Sequence, residues 1–399
     1  MLWHFYELIP NATNSFYGLS LQSEGLRHAL LAVATAVRDA MKGPEPSEMY
    51  LLERTKSLRC LQEDLSSENI TDALAMAVLM HISMEVLSGH MRYTQRHLRG
   101  LYLVFQRLKQ EAAAKKKDLT PVARLLQRMV IRVDFAMSSL YADENQFEAL
   151  TPDDEIADKK WLMQLSGPSE GIMPKNIEWV LASFEMDNLM HRAYSFGSRS
   201  AVLRSIHQPD PLAEEKIRKE SQLLLQALDL WKQRGVICEQ EEIERYARLV
   251  TPAPTDPMLR FLHHEPMYLQ NRFYAKILNQ WRTLLLWVSL IVHPVTGLGP
   301  YSDNRYATAV DICRTHAALG AEAMVGPSWQ CLYFAGLVFG GRKLYPMESQ
   351  WILDQLRFIG LAYPTIARLV DAMPSVWEAD AFVWTGLAAL FKDVGLMDS

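Results

Sequence analysis

SWQCLYFAGL at Ser328–Leu337, WILDQLRFIG at Trp351–Gly360 and PSVWE at Pro374–Glu378 decide how this chain is read. Each block carries a tryptophan at or near one end, and short turn-forming breaks separate them. Apolar residues recur here with helical period, and the same period extends outward nearly everywhere, while alternating β-branched and polar runs are almost missing. The expectation is therefore an all-α fold, a large irregular multi-helix bundle. No exact repeat in the ~33 to 45 residue range of helical solenoids appears, so a regular solenoid is not expected.

Capping signals place the elements. A helix from Gly25 to Met41 stops at Lys42-Gly43-Pro44, and another runs from Ser47 to Leu65. Thr71 caps a helix through Leu87, with Asp72 complementing the positive end of the helix. This segment, DALAMAVLMHISMEVL, is apolar nearly all round, as befits the centre of a bundle. Helices are expected over Arg92–Gln110 and Pro121–Tyr141, the latter with proline where a missing N–H does no harm. The stretch from Asp143 to Lys175 collects acidic residues, prolines and glycines and is the best internal boundary in an otherwise single 399-residue helical body. Beyond it, helices are expected over Asn176–Ile206, Pro211–Arg234, Leu262–His293, Asn304–Met324, Trp329–Phe339, Ser349–Phe358 and Pro374–Lys392.

The three tryptophan-bearing blocks, together with LRHALLAVATA, TDALAMAVLM ending in EVLSG, and HLRGLYLVF near the N-terminus, resemble the fungal-specific transcription factor domain in order and spacing. That domain is the large helical regulatory region of fungal zinc-cluster transcription factors. The resemblance implies a regulatory module that senses a ligand or contacts transcriptional partner proteins. Family members carry upstream a cluster of six closely spaced cysteines holding two zinc ions, and the sequence departs from this. Its four cysteines, Cys60, Cys238, Cys313 and Cys331, are scattered and match no metal-site spacing.

Composition narrows the function classes. A net charge of −5 argues against direct nucleic-acid binding by this chain, which calls for a basic patch. The one dense basic run, Lys115-Lys116-Lys117, reads as a solvated helix end. The longest apolar run, Leu284 to Val292, is far short of the ~20 residues of a membrane helix, and no secretory signal opens the sequence. A nuclear or cytoplasmic location is expected. Gly-rich phosphate loops are missing, since neither GLGP at 297–300 nor GGRK at 340–343 fits a nucleotide motif, and no cofactor is expected.

Polar residues on apolar helices mark the places where chemistry could reside, because burying them requires partners. His81 and Glu85 stand four apart on the 71–87 helix and therefore share a face. Asp187 and His191 repeat the spacing, so the two pairs would form a His/carboxylate site if their helices faced each other; as a metal site this set is disfavoured. Ser289 and His293 form a third such pair, but without a G-x-S-x-G elbow the histidine reads as a partner of the helix C-terminus. Tyr274 and Trp281, with other aromatics of one helix, are candidates to line a pocket for an apolar small molecule, against the plainer reading as core. No catalytic residue is assigned and no metal is expected. The alternative to the regulatory module is a cofactor-independent enzyme of fungal secondary metabolism, a cyclase or isomerase built on the same helical body.

Overall fold

In a computed structural model, the described residues are 12–40, 46–68, 70–87, 91–141, 175–206, 210–239, 272–292, 302–319, 328–340, 345–361 and 364–378. Among them there is no strand, and the fold is all-α without an obvious repeat. The helices are α1 (Ala12–Gln22), α2 (Glu24–Ala40), α3 (Glu48–Ser66), α4 (Asp72–Leu87), α5 (Met91–Ala114), α6 (Pro121–Tyr141) and α7 (Lys175–Ile206). They continue as α8 (Pro211–Lys232), α9 (Arg272–Val292), α10 (Ser302–Leu319), α11 (Ser328–Phe339), α12 (Pro346–Gly360) and α13 (Pro364–Glu378).

Caps explain where these helices begin and end. Thr71 accepts from the Leu74 N–H at 3.2 Å and Ser47 from the Tyr50 N–H at 3.3 Å, each satisfying an otherwise orphaned donor of its helix. Thr120 accepts from the Ala123 N–H at the start of α6 and donates its own proton to Asp72 at 2.5 Å, tying the first turns of α4 and α6 together. The lysine run closes α5: Lys116 adopts φ 50°, and the Lys117 N–H reaches back to the Ala112 carbonyl at 2.9 Å. Gly340 ends α11 at φ 63°, where lack of a side chain removes the usual penalty.

α4 is the hub of the N-terminal half, packing against α1, α2, α3, α5 and α6. Its residues from Leu74 to Met80 are almost all buried, in keeping with a helix that is apolar all round. In the C-terminal half, α9 packs against α7, α8, α10 and α11, and α11 against α10, α12 and α13. The halves meet along α6 and α7. There the buried Arg128 lays its guanidinium 4.3 Å from the Phe184 ring centroid and donates to the Phe184 carbonyl at 3.4 Å.

Three tryptophans fasten the C-terminal helices. The indole N–H of Trp231 donates to the Ala182 carbonyl at 2.7 Å, that of Trp281 to Leu228 at 3.0 Å, and that of Trp287 to Ala193 at 3.0 Å. Gly197 makes room for Trp287: a Cβ there would lie 2.4 Å from the indole Cζ2. Two arginines satisfy the last carbonyls of α9, Arg305 at Ser289 (2.7 Å) and Arg204 at Ile291 (2.6 Å).

α5 runs on to Ala114 beyond the expected Gln110, α12 spans Pro346–Gly360 where Ser349–Phe358 was expected, and two further helices differ more. α13 starts at Pro364, not at Pro374, which lies inside it; both prolines suit a first turn, and the earlier one takes that place. α1 has no counterpart in the sequence reading, because Thr13, Asn14, Ser15 and Gly18 blur its apolar period. The Asp143–Lys175 boundary, except for Lys175 at the start of α7, lies outside the described residues, as do 262–271 of the expected long helix and His293.

Candidate functional site

A polar ladder runs through the apolar N-terminal half, from α2 across α3 and α4 to α5. His81 and Glu85 sit on its α4 rail, and both are buried. The Ser57 hydroxyl on α3 donates to the Gly25 carbonyl of α2 at 3.0 Å and lies 2.9 Å from His81 Nε2. A hydroxyl has one proton, and Gly25 takes it. Ser57 therefore accepts from His81, so Nε2 bears the imidazole hydrogen and Nδ1 is a bare lone pair. That Nδ1 has no hydrogen-bond partner among the described residues. Burial first, then the charges of His97 and Arg54, hold the His81 pKa down at about 4 against the opposing pull of Glu85, so the ring is neutral near pH 7.

Glu85 is stabilised as a carboxylate by Arg54 of α3, whose Nη2 donates to Oε1 at 2.5 Å, and His97 of α5 stands 3.8 Å from the same oxygen. The His81 and His97 rings are 5.8 Å apart and tilted by 33°. A buried charge survives only when it is paired, and Arg54 supplies the pairing from the edge of the helix layer. A second rung joins Glu53 to His28 of α2 at 2.5 Å and to Lys56 at 3.3 Å. The hydrogen bond from His28 lowers the Glu53 pKa despite its burial.

The ladder abuts a cleft of about 490 Å³ between the α1–α2 junction, the end of α3 and the start of α4. Gly25 and Cys60 form part of its wall together with Glu24, Glu63, Asp64 and Asp72. Burial and the neighbouring carboxylates of Glu24, Glu63 and Asp64 push the Cys60 thiol up, which keeps it protonated and a poor nucleophile. His81 is absent from the cleft wall and is 0% exposed. Its basic nitrogen faces protein.

The two His/carboxylate pairs occupy different surroundings. The partners of His81 and Glu85 come from α3 and α5, whereas Asp187 is buried on α7, a helix that packs chiefly on α6, α8 and α9, and His191 is half-buried there. Among the described residues no group of three or more His, Cys, Asp or Glu is placed to hold a metal ion. Tyr274 is fully buried edge-on to Trp179, with centroids 5.0 Å apart, and Trp281 carries the Lys232 ammonium 4.6 Å from its ring centroid. Both aromatics are packed into the joints of α9 with α7 and α8. The Ser289 hydroxyl donates to the Leu286 carbonyl of its own helix.

Sequence reasoning missed Arg54, Ser57 and His97. No local signal marks them: on α3, Glu53 and Ser57 recur with Leu61 at helical spacing and are buried with it, although leucines elsewhere on that helix are exposed.

A family model described as fungal specific transcription factor domain matches residues 9–248, well over half of the chain. The match encloses the ladder, the cleft and helices α1 to α8, and stops short of the Ser328–Glu378 blocks. No curated protein and no solved structure matches significantly.

Proposed function

Because the chain belongs to the fungal specific transcription factor domain family, we propose that its transcription-factor-like regulatory role is exercised through contact with transcriptional partner proteins, with DNA contact made by residues other than these 399. The family match carries this reading. Two features support it. The groups best suited to chemistry, His81 and Glu85, are sealed among helices, and the aromatics suited to an apolar ligand, Tyr274 and Trp281, are engaged in packing. Four scattered cysteines leave this sequence without a zinc cluster of its own, and the net charge of −5 disfavours phosphate contact. The work belongs in the nucleus; among the described residues no helix is long and apolar enough to cross a membrane.

The test fuses the 399-residue chain to a heterologous DNA-binding domain and reads a reporter, alongside transcript and metabolite profiles of a deletion strain. Changed reporter output and altered transcripts of many genes are expected. An unchanged reporter with one stalled metabolic intermediate and unaltered transcripts would replace the regulator with the cofactor-independent enzyme.

A further inference from the structure

We propose that the outer face of α5 is a docking surface for an acidic peptide segment of a partner protein, one whose carboxylates are interspersed with apolar side chains. This rests on the regulatory reading above and names the surface and the chemistry of the contact. From Met91 to Gln110, α5 contains no carboxylate. Arg96, Arg99, Leu103 and Arg107 recur at helical spacing, so they share one face, and all four are exposed. Lys115, Lys116 and Lys117 carry the line past the end of the helix, giving a cationic stripe roughly 30 Å long. It stands on a chain whose net charge is −5.

The occupant follows from charge and its arrangement. Among the described residues, the carboxylates that reach the stripe are Glu68, 3.3 Å from Arg107, and Glu111, 3.4 Å from Lys115. Both pairs lie at the surface, where such contacts contribute little and give way to a ligand at small cost. Two apolar groups distinguish the face from a merely solvated run of charge. Leu103 is 67% exposed in the middle of it, and Tyr93, 49% exposed, has the Arg96 guanidinium carbon 5.7 Å from its ring centroid. Guanidinium groups hold carboxylates through planar two-point contacts, and Leu103 offers an apolar side chain an anchor between them. A single phosphoryl group would need cations that converge, whereas these are strung along the helix. Duplex DNA would run beyond the stripe onto a surface that the net charge of −5 makes acidic elsewhere. An acidic, partly apolar peptide matches both the charge and the exposed leucine.

Fluorescence anisotropy on the full chain tests this. The probe is a labelled synthetic peptide of aspartate and glutamate interspersed with leucine and phenylalanine, about 20 residues long so that as a helix it spans the stripe. It should bind, and more weakly as salt rises from ~0.05 to ~0.3 M. Arg96→Glu combined with Arg99→Glu should weaken binding by about tenfold or more, with unchanged helical circular dichroism. Lys216→Glu combined with Lys219→Glu, the same change in net charge on the exposed face of α8, should bind like the parent. Should the first pair fail to fold, Arg96→Gln combined with Arg99→Gln should still cost several-fold. A second peptide, with serine in place of leucine and phenylalanine, should bind several-fold more weakly and be indifferent to Leu103→Ser, which should weaken the first. No binding of the first peptide, indifference to the arginine variants, equal binding of the serine peptide, or tighter binding of a DNA duplex overturns the proposal. Peptide binding is read without a reporter, so its failure and that of the regulatory reading are distinguishable.

Discussion

At the scale of single residues, two buried histidines give the fold a pH dependence whose sign can be worked out. His81 and His316 both have pKa values drawn down to about 4, chiefly by burial; a hydrogen bond with Gln355 pulls His316 the other way, and its ring lies edge-on to Trp351. In the unfolded chain a histidine takes up its proton near pH 6.5. Between that pH and about 4 the unfolded state binds protons that the folded state refuses. The stability is therefore fully present above pH 6.5 and drains as pH falls toward 4. Each histidine should account for about 3 kcal/mol over that window. Urea unfolding measured at successive pH values is expected to show the slope, and His316→Gln should flatten it; an unaltered slope would refute the assignment.

At the scale of elements, the α2–α3 hairpin depends on one serine with two duties. Ser47 caps α3 and also donates both its N–H (3.0 Å) and its hydroxyl (2.5 Å) to Asp39 near the end of α2, which lowers the Asp39 pKa. Ser47→Ala removes the cap acceptor and one donor, and should cost about 1 kcal/mol or somewhat more. Ser47→Thr, which keeps both roles, should recover most of the loss in thermal unfolding. Boundaries set by such local chemistry were legible in the sequence: Thr71 and Pro121 each mark the start of their helix, and Ser47, read as the first residue of its helix, is the cap just before it. Illegible were choices that depend on distant partners. Nothing local tells that Glu53 and Ser57 point inward, because that orientation is justified only by His28 and His81 on other helices. The pairing of Glu85 with Arg54, 31 residues away, was hidden for the same reason, although burial of His81 and Glu85 followed from the apolar segment around them.

At the scale of the whole molecule, an N-terminal body centred on α4 and a C-terminal body centred on α9 and α11 share one hydrophobic core across the α6–α7 seam. Arg128 is a polar tie in that seam, through the Phe184 ring and carbonyl. Replacing it with methionine keeps the bulk but removes the charge-assisted contact. Calorimetry should show one unfolding transition for the parent and two partly separated ones for Arg128→Met; a single unshifted transition would show that the seam holds by apolar packing alone. The socket that Gly197 provides for Trp287 has a consequence beyond stability. Neither position can be changed alone without leaving a clash or a void, so α7 and α9 carry residues that descend together. In relatives of this chain the two sites are expected to covary, a large side chain at the first accompanied by a smaller ring at the second.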